Sequence, residues 1–407
     1  MKKYYLIGRD LSHSYSDQLH NKRGFKYELK EIEEEKLERF IKKKRYKGLN
    51  VTMPYKEKVI KYLDDIDPSA AEIGSVNTIA IEKRKTVGYN SDLFGFTMLL
   101  KTAHINIDKK NIVVLGSGGV SKTVCYLLNS PYIGVNKLTV VSRTGEINYS
   151  NYATLTDTEI VINCTPVGMY PDICARPIDL SVFPKLESVV DLIYNPYRSA
   201  LLQQAKDLKI PHTANGMYMF IGQALQSENL WKNGLLNTLE IEAEVAGVYA
   251  STLNVVFVGM PGAGKSSYAR SFGKALQREV ADTDEMIEQK FGLPVKEIIR
   301  RNGIEFFREE EKKAVREACD RRGIIIAVGG GAILSEENRI RIRSNARVVY
   351  LKRDLDKLST ENRPLSETRS LEEIYAERKD FYETVADEII DNNGTPEDGI
   401  RQLLDVL

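Results

Sequence analysis

Between residues 253 and 277 the chain reads Leu253-Asn254-Val255-Val256-Phe257-Val258, then Gly259-Met260-Pro261-Gly262-Ala263-Gly264-Lys265-Ser266, then a helix-like segment from Ser267 to Gln277. The middle stretch fits the P-loop pattern. A strand enters a turn that glycines allow, and the turn's N–H groups, with the start of the next helix, cradle phosphate oxygens. In that reading Gly262, Gly264 and the helix start at Ser267 face the nucleotide, Lys265 reaches its β- and γ-phosphates, and the Ser266 hydroxyl ligates Mg²⁺. A glycine turn with an incidental lysine is the plainer alternative, and the complete pattern in strand, loop and helix context outweighs it.

Several polar sets precede this loop. Ser12-His13-Ser14-Tyr15-Ser16-Asp17-Gln18-Leu19-His20-Asn21 follows a first strand over residues 3–8. Asn50-Val51-Thr52-Met53-Pro54-Tyr55-Lys56 brings an amide, a hydroxyl and an ammonium to the end of another strand. Gly74-Ser75-Val76-Asn77-Thr78 and Gly88-Tyr89-Asn90-Ser91-Asp92 flank an expected hairpin through Glu82 to Lys85. Each set alone reads equally well as capping or turn chemistry.

The elements that position these groups follow from length and pattern. With 407 residues, two or three domains are expected, and the P-loop leaves about 150 residues for a nucleotide-binding domain behind it. Lys plus Arg is 58 against 57 for Asp plus Glu, a net charge of +1, so composition favours neither nucleic acid nor an anionic membrane as partner. Cys125, Cys164, Cys174 and Cys319 are scattered without a C-x-x-C spacing, as expected of packed, reduced thiols in a cytoplasmic protein. Residues 1–8 lack a long apolar core and read as a strand rather than a leader, and no apolar run is long enough to span a membrane.

Taken together and in order, H-S-x-S-x-x-x-H-N, N-V-T-x-P-x-K, V-N-T and Y-N-S-D resemble the shikimate dehydrogenase family over residues 1 to about 248. The resemblance implies that Ser14, Ser16 and Thr52 bind the substrate carboxylate and that Asn77 and Asp92 bind its ring hydroxyls. Lys56 with Asp92 becomes the acid–base pair; whether Lys56 transfers the proton or only orients and polarises stays open here.

An apolar strand over residues 111–115 turns through Gly116-Ser117-Gly118-Gly119-Val120-Ser121 into a helix expected from Lys122 to Asn129, the βα turn of a dinucleotide fold. Gly116, Gly118, Gly119 and Val120 are its cofactor-binding candidates. A following strand ends in Ser142-Arg143-Thr144, where an NAD-binding fold usually carries an acid for the ribose hydroxyls; an arginine there suits the 2′-phosphate of NADP(H). The family usually has Asn at the position of Ser142. Asn163-Cys164-Thr165-Pro166-Val167-Gly168-Met169 matches the family's turn beside the nicotinamide, with Thr165 as a cofactor contact. By the same resemblance Gly216 lies near the nicotinamide, and Tyr194 and Gln223 lie on the substrate.

Behind the P-loop, Asp282 and Asp284 are read at the end of a short strand, where alternate residues share a face. Arg308 and Glu311 lie at i,i+3 on a helix, for which an exposed salt bridge is the plainer alternative. Gly329-Gly330-Gly331 ends a further strand, and Arg363-Pro364-Leu365 and Arg378-Lys379-Asp380-Phe381-Tyr382 follow. This set resembles shikimate kinase from about residue 252 onward. The resemblance implies that Arg308, Arg378 and the amides of Gly329, Gly330 and Gly331 hold the acceptor, and that Asp284 binds the hydroxyl to be phosphorylated and accepts its proton. Asp282 would sit near Mg²⁺, and Arg363 would close over the phosphoryl group from a lid shorter than usual.

The expected architecture is therefore α/β throughout: a two-lobed dehydrogenase, with an α/β substrate lobe (1–95 and 217–248) and a Rossmann-like NADP lobe (96–216), followed by a P-loop kinase domain with a parallel sheet (252–407). The expected activity is NADPH-dependent reduction of 3-dehydroshikimate to shikimate, then ATP- and Mg²⁺-dependent phosphorylation of shikimate. A quinate-type, NAD-using dehydrogenase paired with a kinase for another small alcohol, or with a nucleotide-sensing module, is the competing reading.

Overall fold

The computed structural model describes residues 2–11, 14–232, 234, 237–358, 370–394, 398–399 and 401–402. Two compact units emerge: one of Met1–Pro166, Pro177–Tyr194 and Gln204–Val245, the other of Val167–Arg176, Asn195–Gln203 and Ala246–Leu407.

The first unit holds two sheets. β1 (Tyr4–Gly8), β2 (Tyr27–Glu31), β3 (Gly48–Val51), β4 (Asp65–Ile66), β5 (Thr78–Glu82) and β6 (Lys85–Tyr89) form one sheet in the order β2-β1-β3-β5-β6-β4. The chain turns back between β5 and β6 through Lys83 and Arg84, both at positive φ (47° and 69°), the hairpin expected from the sequence. Helix Glu34–Lys42 covers this sheet by burying Leu37 and Ile41 beside Leu49 and Ile79.

β7 (Asn111–Leu115), β8 (Lys137–Val141), β9 (Ile160–Asn163), β10 (Ser188–Asp191) and β11 (His212–Asn215) form a wholly parallel sheet, order β11-β10-β9-β7-β8. Its continuous apolar strands are those of a sheet covered on both faces, and Val114, Ile160 and Ile162 are fully buried. Helices Ser91–Thr102 and Met217–Lys232 cross at glycines: a Cβ on Gly95 would lie 2.4 Å from the Met219 carbonyl, and one on Gly222 would lie 3.2 Å from Gly95 Cα.

The second unit is built on a parallel sheet in the order β13-β14-β12-β15-β16, from β12 (Asn254–Val258), β13 (Val280–Asp282), β14 (Ile325–Ala327), β15 (Ala346–Lys352) and β16 (Glu388–Asp391). Val256, Phe257, Ile325, Ile326 and Val348 lie in its core, all fully buried. Within this unit Arg198 pairs with Asp387 at 3.0 Å, and the Tyr197 N–H donates to Asn345 Oδ1 at 2.7 Å.

Residues 249–251, left between the two expected domains, are helical as part of Leu239–Thr252. Ser251 and Thr252 hydroxyls donate to the Gly247 and Val248 carbonyls (2.9 and 2.7 Å), so a polar run with a glycine still completes its last turn. Among the described residues no helix is long and apolar enough to cross a membrane, and all four cysteines are free thiols.

Candidate active sites

In the first unit, the turn after β3 delivers Lys56 and the helix Ser91–Thr102 delivers Asp92 in its first turn, where the helix dipole favours an anion. Lys56 Nζ donates to Asp92 Oδ2 at 2.6 Å, with side-chain exposures of 14% and 8%. A buried scaffold fixes the carboxylate's helix. Asn90 caps it by accepting from the Leu93 N–H (3.3 Å), and the Asn77 side-chain oxygen accepts from the Ser91 N–H at 2.7 Å. The Asn77 side-chain oxygen is thus committed to this helix start.

Thr52 lies at the end of β3, its methyl 2.6 Å from where a Cβ on Gly8 would be. The half-buried Ser14 donates its hydroxyl to Ser16 Oγ at 3.2 Å. Tyr194 stacks on Phe220 with centroids 4.3 Å apart, and burial pushes its phenol up to about 12, so it remains a donor. Gln223 donates to the Phe220 carbonyl at 2.9 Å, on the helix that crosses Gly95.

Sequence reasoning passed over Ser75 and Ser227. The Ser227 hydroxyl meets Thr78 Oγ1 (2.7 Å) and accepts from Asn50 Nδ2 (2.8 Å), joining β3, β5 and helix Met217–Lys232. Asn50 and Thr78 were inside recognised motifs, but nothing local in the sequence marks Ser227 as their partner.

The dinucleotide turn closes as expected, with a correction to its helix. Helix Gly119–Leu128 begins three residues before the predicted Lys122, directly on the glycines and with no side-chain cap, which leaves its first N–H groups to a ligand. Val120 lies in that first turn. Ser121, in the third glycine position, donates its hydroxyl to the Gly116 carbonyl at 2.7 Å and so stabilises the turn itself. A Cβ on Gly119 would lie 3.4 Å from Ser75 Oγ and 3.7 Å from Lys56 Cδ, which sets the lysine stem against the helix start. A Cβ on Gly116 would approach the Thr165 methyl to 3.0 Å, and Thr165 is oriented by Asn163 Oδ1 at 2.7 Å. Gly216 passes so close to β10 that a Cβ would lie 2.0 Å from the Leu192 carbonyl. At the end of β8, Ser142 is buried while Arg143 and Thr144 are exposed.

In the second unit the loop after β12 has Gly259, Gly262 and Gly264 at φ 147°, 88° and 93°. Helix Lys265–Leu276 starts at the lysine rather than at Ser267, again without a side-chain cap. Lys265 Nζ donates to the Gly259 and Met260 carbonyls, 3.0 Å each, spanning its own loop. Ser266 is half-buried beside it and Ser267 is exposed.

The two carboxylates do not share a strand face, contrary to expectation. β13 ends at Asp282, which caps helix Thr283–Phe291 by accepting from the Asp284 N–H at 3.0 Å, and Asp284 lies in that helix's first turn. The capping preference of Asp overrides a further strand residue. Asp284 nevertheless reaches the glycine triplet: a Cβ on Gly329 would lie 2.6 Å from Asp284 Oδ1 and 2.8 Å from Glu311 Oε1. A Cβ on Gly331 would lie 2.3 Å from the Arg308 guanidinium, and the Gly330 carbonyl accepts from Arg378 Nη1 at 3.2 Å. Arg378 is 1% exposed, and its Nε makes no hydrogen bond among the described residues. A buried cation with such a donor fits an anionic ligand. Arg363 lies outside the described residues.

The Arg308–Glu311 pair forms at 2.6 Å, buried on the glutamate side rather than exposed. Burial pushes the Glu311 carboxyl up to about 7; Arg308 opposes the rise and Asp284 adds to it. An unfolded glutamate titrates near 4.3, so between about 4.3 and 7 the native state binds the extra proton and stability falls as pH rises through that window. Glu311→Gln is expected to flatten this part of the thermal midpoint measured from pH 5 to 8. An unchanged slope would show that Glu311 stays ionised throughout.

These sites define a two-part enzyme, a dinucleotide-dependent reductase joined to a P-loop phosphotransferase. Residues 6–79 match the family model of the shikimate dehydrogenase substrate binding domain, and residues 261–407 match shikimate kinase. A shikimate dehydrogenase (NADP(+)) of Clostridium beijerinckii is 37% identical over 253 residues, 57% of this chain and 92% of that protein. The chain belongs to the shikimate dehydrogenase family and carries a shikimate kinase domain at residues 261–407. Among solved structures, shikimate dehydrogenase 1 of Peptoclostridium difficile is 34% identical with a TM-score of 0.56, over 61% of this chain and 98% of that one. A shikimate 5-dehydrogenase of Thermus thermophilus, solved in complex with NADP(H) and shikimate, is 26% identical with a TM-score of 0.54, over 61% and 99%.

Proposed function

We propose that this chain performs two consecutive steps of the shikimate pathway: reduction of the ketone of 3-dehydroshikimate, then phosphorylation of the 3-hydroxyl of the resulting shikimate. The observation that carries the reading is the Lys56–Asp92 pair, buried on the aspartate side, set against the uncapped start of the dinucleotide helix. Residues 1–95 with 217–248 serve as substrate lobe, 96–216 as NADP lobe and 252–407 as kinase domain.

For the reduction, Ser14, Ser16 and Thr52 hold the carboxylate, and Asn77, Asp92, Tyr194 and Gln223 the ring oxygens. Lys56, aimed by its hydrogen bond to Asp92, hydrogen-bonds the ketone oxygen and supports the negative charge that grows there. Arg143, with Ser142 and Thr144, faces the 2′-phosphate. Gly116, Gly118, Gly119 and Val120 take the pyrophosphate, and Thr165 and Gly216 border the nicotinamide.

For the phosphorylation, Arg308, Arg378 and the Gly330 backbone hold the acceptor's carboxylate and hydroxyls, and Asp284 accepts the proton of the reacting hydroxyl. Gly262, Gly264, Ser267 and Lys265 hold the phosphates, and Arg363 stabilises the transferring phosphoryl group. Ser266 and Asp282 suit Mg²⁺, which takes one or two protein oxygens beside substrate phosphates and neutralises charge on them when bound. NADPH supplies the hydride and ATP the phosphoryl group.

The purified chain offered NADPH or NADH, with 3-dehydroshikimate or dehydroquinate, tests the first half. Faster turnover of 3-dehydroshikimate with NADPH is expected. A preference for the quinate-type substrate with NADH would replace the reading by its competitor.

A further inference from the structure

The P-loop is held in shape by a residue far from it in sequence. Asn392 follows β16, at the edge of the sheet in the second unit, and is 4% exposed. Its backbone N–H donates to the Lys352 carbonyl at 2.8 Å, which ties it to β15. Its side-chain Nδ2 donates to the Ala263 carbonyl at 2.6 Å, and its Oδ1 accepts from the Tyr268 hydroxyl, also at 2.6 Å. Tyr268 lies one turn into the P-loop helix, its N–H donating to the Gly264 carbonyl at 3.0 Å. Tyr268 is packed from the other side as well, since a Cβ on Gly399 would lie 2.0 Å from its hydroxyl.

The geometry points to Asn392 as the positioning residue that sets the Ala263–Gly264 peptide for binding nucleotide phosphate. In a trans peptide the carbonyl and the following N–H point to opposite sides. Fixing the Ala263 carbonyl outward on Asn392 therefore turns the Gly264 N–H toward the inside of the cradle. Gly264 adopts φ +93°, and the Asn392 amide lies 3.3 Å from where its Cβ would be. The peptide thus stands in a turn that only glycine enters readily, with one hydrogen bond choosing its orientation. Tyr268 chooses the amide's orientation in turn: with its hydroxyl donating to Oδ1, Nδ2 is the atom that faces Ala263. Asn392 does not itself touch the nucleotide; it acts through the loop.

The inference rests on the reading of Gly259 to Ser266 as an ATP site, and the test separates the two. Fluorescent ADP binding and steady-state kinetics are measured on the full chain for Asn392→Leu, Asn392→Asp, Tyr268→Phe and the Tyr268→Phe/Asn392→Leu double variant, with the reductase rate as a check on folding. Asn392→Leu and Asn392→Asp, neither of which can donate to Ala263, are expected to weaken nucleotide binding and raise the KM for ATP about tenfold, the effect of one buried carbonyl left without its donor. The KM for shikimate should move less than about twofold, because the acceptor is held by other residues. Tyr268→Phe should give a smaller change in the same direction, and the double variant should be no worse than Asn392→Leu alone, because the hydroxyl's bond to Asn392 orients the amide. ADP binding that matches the unsubstituted chain in both Asn392 variants overturns the brace alone. No nucleotide binding by the unsubstituted chain overturns the ATP-site reading, and the brace with it. A uniform loss in both KM values, or additive effects in the double variant, would assign Asn392 to general stability instead.

Discussion

Lys56→Ala is expected to lower the NADPH-dependent reduction by about 10²- to 10⁴-fold, the usual weight of a positioned acid–base group, while phosphorylation of added shikimate proceeds at its normal rate. The substitution has two effects that must be told apart. It removes the ammonium nearest the ketone oxygen, and it leaves Asp92, 8% exposed at its side chain, without its 2.6 Å partner. Breaking a buried pair from one side costs about 3–5 kcal/mol, so a loss of rate is assigned to chemistry only when the variant is shown to be folded. The double change Lys56→Ala/Asp92→Asn removes the stranded charge. It should recover most of the thermal stability and none of the reduction, which fluorescence-monitored unfolding and initial rates would show together. Recovery of activity in the double variant would mean that the pair is structural and the proton comes from elsewhere.

Lys265→Ala is expected to do the converse, lowering phosphorylation by about 10²- to 10³-fold, as removal of one preorganised donor at developing charge does elsewhere. Lys265 is 9% exposed, and its two 3.0 Å bonds to the Gly259 and Met260 carbonyls hold it over the loop. A phosphate oxygen in the cradle would take over the ammonium from those carbonyls. The change therefore also strips two acceptors of a donor, at a cost of about 1–3 kcal/mol per buried group. Circular dichroism and the thermal unfolding midpoint of the same sample serve as the folding check. Loss of both activities in folded protein would contradict two independent sites.

Much of the fold and of both sites was legible in the sequence, for identifiable reasons. Parallel strands buried on both faces read as unbroken apolar runs, so β7 and β12 fell within a residue of their places. The helices behind both glycine turns begin earlier than read, at Gly119 and Lys265, because they start without a capping side chain and so give no start signal. Asp282 misled because a helix cap and a strand end favour the same short polar residue, and only the 3.0 Å bond to the Asp284 N–H decides between them. At the boundary between the two expected domains Gly247, Ser251 and Thr252 suggest a break, whereas the serine and threonine hydroxyls close the helix end.

Contacts between residues distant in sequence were the least legible part. Ser227 completes the network under Asn77 from a helix near the end of the first unit, and Asn392 reaches the P-loop from the sheet edge. Neither has a periodicity or local motif of its own. The fully buried Ser75, beside Gly119 and Lys56, likewise gave only a turn signal.

The central claim is that one chain makes shikimate and then consumes it. The most direct test supplies 3-dehydroshikimate, NADPH, ATP and Mg²⁺ together and follows NADPH loss and the phosphorylated product in the same sample. One shikimate 3-phosphate formed per NADPH consumed, with none formed when NADPH is withheld, is the predicted result. NADPH loss with shikimate accumulating and no ADP released, even when further shikimate is added, would contradict it and leave the P-loop unit a nucleotide sensor.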